Sequence, residues 1–262
     1  MPTALITGAS SGLGEQFAYA LAREHYELVL AARREDRLAA VAGRSRSLGA
    51  GSVRTIRADL SQRETPAALH EQLASDGVRV DYLVNNAGFG TTGKFHRLPL
   101  ERELEEIDLN AVSVVATTRL FLPAMLEQRG GTIINVASTA AFQPTPYMAT
   151  YGATKAFVMS FTEALAAELA GTGVTAMALC PGPVHTEFQK VANHERSRFP
   201  SFVWTEAERV VQEAIASAAS GRSVCVAGAL NSALAIASRF APRGLAVRIS
   251  GSLLRPPAAD RD

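Results

Sequence analysis

Cysteine is nearly absent. The 262 residues contain two, Cys180 and Cys225, far apart and in no Cys-x2-Cys pair. That excludes a disulfide framework and a thiolate metal site, and both read as reduced core thiols. The five histidines, His25, His70, His96, His185 and His194, stand at no His-Glu-x2-His or related spacing, so no metal is expected. Net charge is nearly absent too, at +1, which leaves no electrostatic argument for a nucleic-acid partner. No uncharged apolar run reaches the ~18 residues that a membrane span needs. The longest contender, Ala153 to Ala170, is interrupted by Lys155, Glu163 and Glu168. Repeats and low-complexity linkers are missing as well. Only Met1 and Pro2 precede the first apolar run, so no leader is expected and the expected compartment is the cytoplasm.

What is present is apolar residue, at 47%, enough for a large core. Short apolar runs at Thr3–Thr7, Glu27–Ala32, Ser52–Ala58, Asp81–Asn85, Thr132–Ala137, Val174–Cys180 and Ser223–Val226 read as strands. Between them, helical periodicity covers Gly12–Glu24, Glu35–Leu48, Glu64–Ser75, Leu100–Gln128, Tyr151–Ala170 and Glu206–Ser220. The alternation predicts right-handed crossovers and one α/β domain over 1–262: a Rossmann-like, doubly wound parallel sheet of seven strands with helices on both faces. Two stretches depart from this rhythm. Residues 183–204 are irregular and mix aromatic with charged side chains, as a substrate lid or a packed surface loop would. Residues 228–262 form an amphipathic, arginine-rich extension broken by Pro242. Such a stretch can touch a membrane surface, but packing on its own core or on a partner subunit is the favoured reading.

Gly8, Ser10, Ser11, Gly12, Leu13 and Gly14 lie in the turn Thr7-Gly-Ala-Ser-Ser-Gly-Leu-Gly14 between the first strand and first helix. Glycines there let the backbone approach a pyrophosphate, and the amides and dipole of the helix start favour its charge. The same residues fit Gly-x-Ser-x-Gly, the nucleophile elbow of a hydrolase. That elbow ordinarily follows earlier strands, and this turn follows the first. The second strand ends in Ala31-Ala32-Arg33-Arg34, where a dinucleotide fold places the adenosine ribose. An acid there would bond the 2′-hydroxyl of NAD, whereas Arg33 and Arg34 suit the 2′-phosphate of NADP. Each charge-assisted bond of this kind is worth ~1.5–3 kcal/mol. NADP(H) is therefore the expected cofactor, ahead of NAD(H).

Tyr151 and Lys155 are four apart at the start of a helix, on one face. An ammonium about 4 Å from the phenol is worth roughly 4 kcal/mol at an effective dielectric of about 20. That would bring the phenol from about 10 toward neutrality, where it can shuttle protons. Ser138, at the end of the fifth strand, is placed to hold a substrate oxygen beside it.

With these motifs together, the chain resembles the short-chain dehydrogenase/reductase family over essentially its whole length. The resemblance rests on TGASSGLG (7–14), Asp59-Leu60, NNAG (85–88), Asn110, Ser138, YGATK (151–155) and PGPVHT (181–186), all in the family's order. AARRED and PYMATYGATKAF look most similar to a bacterial NADP-linked subgroup whose substrates are mostly unassigned. The resemblance implies Tyr151 as general acid/base, Lys155 as its partner and a ribose ligand, Ser138 orienting the substrate oxygen, and Asn110 holding a relay water. It also implies that the glycine turn lines the pyrophosphate and that Asp59 and Leu60 lie at the adenine. Asn86, Ala87 and Gly88 would pass near the ribose, with Asn85 bracing the sheet. Pro181, Gly182, Val184 and Thr186 would position the nicotinamide. It further implies a homodimer or homotetramer built through the long helices, where Ala153, Ala156, Ser160, Ala164 and Ala167 would permit close contact.

The expected activity is hydride transfer between the nicotinamide and a carbonyl or secondary alcohol of an apolar small molecule. Phe89, Phe142, Met148, Phe188, Phe202 and Trp204 could wall its pocket, or be ordinary core and lid residues. The alternative is a non-catalytic NADP-binding sensor or interaction protein on the same fold.

Overall fold

The computed structural model describes residues 1–188, 192 and 200–256. Seven strands form one sheet: β1 (Thr3–Thr7), β2 (Glu27–Ala32), β3 (Val53–Arg57), β4 (Tyr82–Asn85), β5 (Gly131–Val136), β6 (Val174–Cys180) and β7 (Val224–Val226). All neighbours pair in parallel, in the order β3-β2-β1-β4-β5-β6-β7. The central strands are buried on both faces, which is why β1 and β2 read as nearly continuous apolar runs. The edge strand β3 instead carries Arg54 and Arg57 to the surface and buries only Ile56, as a sheet edge requires.

Helices α1 (Gly12–Arg23), α2 (Glu35–Ser47) and α7 (Ala207–Ala219) cover one face. Their Phe17, Leu21, Leu38, Val41, Val210 and Ala214 pack on Ile6, Leu28, Leu30, Val84, Ile134 and Met177. Helices α3 (Thr65–Ser75), α5 (Ser113–Gln128) and α6 (Ala149–Glu168) cover the other, where Leu69, Leu73, Phe121, Met125 and Leu165 meet Leu5, Val29, Leu83 and Ile133. Successive strand residues thus serve opposite layers, with the period of two that a pleated strand imposes.

The predicted strands are all present within a residue or two, and the sheet is the expected doubly wound one. The predicted single helix over 100–128 is interrupted. It consists of α4 (Leu100–Ile107), a wide π-turn at Asp108–Val112, and α5. The reason lies in a distant segment: the π-turn holds Asn110, whose side chain brackets Phe89, donating to its carbonyl at 2.8 Å and accepting from its amide at 3.1 Å. By length and composition 100–128 is the one helical run, among the described residues, apolar enough to cross a membrane. Half of that window is buried, much of it against α3 and β5. Beyond β7 the chain forms α8 (Ala229–Phe240) and α9 (Arg243–Leu254), separated at Pro242.

The strand order reverses between β1 and β4. Loops leaving adjacent strands here turn to opposite faces and leave a crevice at the carboxyl ends. The turn after β1 and the Asn85–Gly90 stretch after β4 border it.

Candidate active site

A cavity of about 520 Å3 opens at this crevice. Strand ends deliver its lining: Gly8, Ser10 and Gly12 after β1, Arg33 and Arg34 after β2, Asp59 and Leu60 after β3. Asn86, Ala87 and Gly88 follow β4, Ser138 follows β5, and Pro181, Gly182, Val184 and Thr186 follow β6. Tyr151 and Lys155 reach it from α6, and Ser11 and Leu13 complete the first turn.

The turn is shaped for close approach. Gly8 and Gly12 have φ of +63° and +60°, in the left-handed region that side chains disfavour. A Cβ on Gly8 would meet the Ala87 Cα at 2.8 Å, and one on Gly12 the Thr186 side chain at 3.2 Å. Gly14 does not line the cavity. A Cβ there would stand 2.4 Å from the Gly8 carbonyl oxygen, so this glycine lets α1 pack against the turn instead. Asn86 clasps the turn, donating from Nδ2 to the Thr7 and Gly8 carbonyls at 2.9 and 3.2 Å. Ser11, at the N-cap of α1, makes no side-chain cap bond, so the first amides of α1 have no cap from its own side chain. Such a helix start fits a phosphate.

Arg34 is held over this turn. Its Nη2 donates to Ser11 Oγ at 2.8 Å and Ser10 Oγ at 3.2 Å, while Nη1 donates to Glu187 at 2.9 Å. Arg37, which the sequence did not single out, reaches the other oxygen of Glu187 at 3.2 Å. The Arg34 bond holds the Glu187 carboxyl below the usual carboxylate range. Arg33 leans toward Glu105 at 3.4 Å and Asp59 at 4.0 Å. The chemistry of this donor set, cationic forks beside serine hydroxyls and an uncapped helix start, fits a phosphorylated dinucleotide.

At the other end, Ser138 and Tyr151 line the cavity together, with Ser138 Oγ accepting from the Ala140 amide at 3.1 Å. Lys155 is buried, and its Nζ donates to the Val136 carbonyl at 2.8 Å, 5.8 Å from the Tyr151 ring centroid. Burial pushes the phenol up to about 12, against the influence of the Ser138 hydroxyl, and brings the lysine down to about 8. The expected lysine-driven drop toward neutrality is therefore not present in this arrangement. Burial disfavours both charges, and the ammonium is aimed at a carbonyl rather than at the phenol. Asn110 lies behind the cavity wall, fully buried, with Nδ2 also donating to Thr154 at 3.2 Å. Its side chain braces the Gly88–Phe89 turn. Asn85 joins a buried network with Thr117, Thr118 and Asn135.

Of the aromatic and apolar pocket residues, Phe89, Met148, Phe188 and Trp204 line the cavity. Phe188 lies 5.3 Å from the Tyr151 ring, and Trp204 stacks on His185 at 4.7 Å. Phe142 and Phe202 do not line it. Phe142 packs beside Val114, Ala137 and Val158. Phe202 is 69% exposed, because Val203 takes the inward position of its turn. Of the irregular segment, 189–191 and 193–199 lie outside the described residues. Its two ends are pinned together, Thr205 donating from its amide to the Pro183 carbonyl at 3.0 Å.

Sequence reasoning missed two features. Ser250, Leu253 and Leu254 of α9 form part of the cavity wall. Glu103 and Glu106 are buried beneath the α6 start. Thr91 Oγ1 lies 2.6 Å from Glu103 and 2.8 Å from Glu106, and Thr150 donates to Glu103. One hydroxyl has one proton to give, so contacts to two carboxyls need a proton on one acid. Glu106 Oε1 has no hydrogen-bond partner, and burial raises Glu106 to about 7. The raised Glu106 is the acid of the pair suited to carry that proton.

A doubly wound parallel sheet with a phosphate-shaped turn at its switch point, and a serine–tyrosine–lysine set along the same cavity, defines a nucleotide-dependent oxidoreductase. Comparison with known proteins agrees: the profile of the family described as short chain dehydrogenase matches residues 2–197. The chain belongs to that family. An uncharacterized oxidoreductase from Myxococcus xanthus is 36% identical over 191 residues, 73% of this chain and 75% of that protein. An 11-beta-hydroxysteroid dehydrogenase 1A from Arabidopsis thaliana is 39% identical over 184 residues, 70% of this chain but 52% of that protein. Among solved structures, a short-chain dehydrogenase from Sphingobium yanoikuyae in complex with NADPH superposes with TM-score 0.83 at 32% identity, covering 100% of both chains. A Burkholderia phymatum short chain dehydrogenase/reductase in complex with NAD superposes with TM-score 0.78 at 29% identity, covering 90% of this chain and 92% of that one.

Proposed function

We propose that this chain is an NADP(H)-dependent reductase or dehydrogenase acting on a carbonyl or secondary alcohol of an apolar small molecule. The observation that carries this reading is continuity. One cavity joins Arg34, fixed over Ser10 and Ser11, to Ser138 and Tyr151. The glycine turn would hold the phosphates of a dinucleotide bound along it, and Tyr151 and residues 181–186 would hold its reactive ring. Arg33 and Arg34 supply the contacts that favour a 2′-phosphate.

The nicotinamide, when bound, supplies or accepts the hydride. Ser138 and Tyr151 donate hydrogen bonds to the substrate oxygen and fix the carbon against that ring. In reduction Tyr151 gives its proton to the oxygen, and in oxidation it takes one. Its high pKa suits the donor role, since the phenol stays protonated at neutral pH. Lys155 holds positive charge beside the proton path and is placed to bond a ribose hydroxyl. Asn110 acts as a positioning residue behind Gly88. The ends of 183–204, with Trp204 and Phe188 over the cavity, act as the substrate cover. A homo-oligomer is inferred from α6, whose Ala153, Ser160, Ala164 and Ala167 face outward beside the exposed Phe157.

NADPH oxidation followed against a panel of aldehydes, ketones and diketones tests the reading, with NADH and Tyr151→Phe as controls. Turnover that prefers NADPH and vanishes in the variant is expected. Tight NADPH binding with silence across the panel would favour a non-catalytic NADP sensor, and no NADPH binding would overturn the cofactor assignment.

A further inference from the structure

Helix α8 has its polarity turned inside out. Its inner face holds Asn231, buried and donating to the Val203 and Ala227 carbonyls at 3.1 and 3.3 Å, beside Ala235. Its outer face is apolar: Leu230, Ala233, Leu234, Ile236, Ala237 and Phe240 all face solvent, Phe240 with 84% of its surface free. A water-facing helix carries the opposite arrangement. Helix α9 buries Ala246, Ser250, Gly251 and Leu254 and exposes Leu245 and Ile249 with Arg248 between them. Both helices therefore expose apolar side chains of the kind that mark an interaction site.

Charge identifies the occupant. From Ala214 to Ala259 the sequence contains no aspartate or glutamate and five arginines: Arg222, Arg239, Arg243, Arg248 and Arg255. The whole chain carries only +1, so positive charge is concentrated in this segment. A two-fold contact with a second copy would set this patch against itself, like charge on like charge. An anionic partner is complementary. Arg248 and Arg255 also border a groove of about 390 Å3 beside Pro146 and Tyr147, with room for a phosphate headgroup. The apolar stretch Ala229–Ser238 is about 15 Å long at 1.5 Å per residue, half of a bilayer's ~30 Å hydrocarbon core. It suits a helix lying in the interface plane with its apolar side down and arginines at the headgroups.

We propose that α8 and α9 seat the protein on an anionic lipid bilayer, and that the cavity draws a lipid-dissolved carbonyl or alcohol from it. The first half stands on the surface alone. The second rests on the proposed oxidoreductase reading, and on α9 serving both surfaces: Leu253 and Leu254 wall the cavity while Leu245 and Ile249 face outward.

Flotation of the full chain with vesicles tests the seat without any turnover. Binding to phosphatidylcholine/phosphatidylglycerol vesicles is expected at low salt, and at least about ten-fold weaker binding to phosphatidylcholine alone. The triple variant Arg243→Gln/Arg248→Gln/Arg255→Gln should bind about a hundred-fold less tightly, at about five-fold per arginine. The double variant Leu234→Ser/Phe240→Ser should fail to float while keeping its melting temperature. No flotation by the wild type overturns the proposal. If in addition the double variant shrinks from oligomer to monomer by light scattering, the occupant is a second copy. Uptake is read separately, with 2-decanone as probe and NADPH oxidation as signal. Anionic vesicles should raise wild-type turnover at low total ketone and leave the double variant unchanged. Flotation with no such difference removes the uptake half and leaves the seat standing; no turnover of 2-decanone with or without vesicles also removes the uptake half, while the oxidoreductase reading itself falls only to silence across the whole carbonyl panel.

Discussion

The two ends of the cavity handle charge in opposite ways. At the nucleotide end the charged groups, Arg33, Arg34, Arg37 and Glu187, are largely exposed and meet in surface ion pairs. At the reaction end Lys155 and Glu106 are buried, and Tyr151 is displaced strongly in pKa: the phenol to about 12, the ammonium to about 8, the carboxyl to about 7. Exposed pairs are screened and individually weak, which suits a cofactor that must come and go. Buried groups are costly to charge, which suits a site that moves a proton on demand. Changes at the reaction end should therefore be large and pH-dependent, and those at the nucleotide end modest and salt-dependent.

The largest effect expected is on Tyr151. Tyr151→Phe removes the proton donor and keeps the ring, its contact with Phe188 included. Turnover should fall by about a hundred- to ten-thousand-fold, with the Kd for NADPH, read by fluorescence titration, changed less than about three-fold. A large loss of NADPH binding would blur the contrast between the two ends.

Next comes the buried acid pair. Glu106 has its folded pKa raised from 4.5 to about 7, first by burial and then by Glu103, against the Thr91 bond and Lys155. A raised carboxyl holds its proton more tightly in the folded state, so unfolding is favoured as pH rises. The stability is fully present below about 4.5 and is lost as pH passes through about 7, by about 3 kcal/mol at most. In urea melts between pH 5 and 8 the wild type should lose stability, whereas Glu106→Gln, which mimics the protonated acid, should stay flat over that range. Parallel profiles would show that Glu106 is ionised throughout.

This contrast also explains what could be read from sequence. The phosphate turn, Arg34 at the end of β2, Ser138 at the end of β5 and the Tyr151–Lys155 pair are each set by a few contiguous residues at a strand or helix end. Periodicity and spacing locate such ends. Glu103 and Glu106 were invisible for the converse reason: two acids three apart on a helix read as a solvated face. Only the approach of Thr91 and Thr150 from other elements buries them. The π-turn at Asp108–Val112 was hidden in the same way, since its cause is a bond from Asn110 to Phe89, 21 residues away. The cavity wall from α9 joins residues a hundred positions apart, as in the 2.7 Å bond from Ser250 to the Pro144 carbonyl. Phe202 and Val203 show the limit of composition, because aromatic character did not reveal which of two neighbours turns inward.

At the nucleotide end, Arg34→Ala should weaken NADPH by about ten-fold to a few hundred-fold, the loss of one or two charge-assisted bonds. NADH affinity should change little. The wild-type preference for NADPH should also shrink as salt is raised from 0.05 to about 0.5 M, since the contacts are exposed. An equal loss for both cofactors would mean that Arg34 acts only by bracing Ser10 and Ser11.

The smallest effect belongs to Glu187, which tests whether this end is a competition. Its carboxylate bonds Arg34 and Arg37 together, and Arg34 is a fork that a 2′-phosphate would use, so one anion must yield to the other. An exposed pair is worth ~0–1 kcal/mol, so removing the resident anion with Glu187→Gln should tighten NADPH by up to about five-fold. NADH, with no 2′-phosphate to compete, should show no gain. If the variant instead weakens NADPH, Glu187 orders the two arginines for the phosphate rather than occupying its place. The isosteric Gln, which still accepts a hydrogen bond from Arg34 but carries no charge, separates these outcomes, because it removes the competition while retaining part of the ordering.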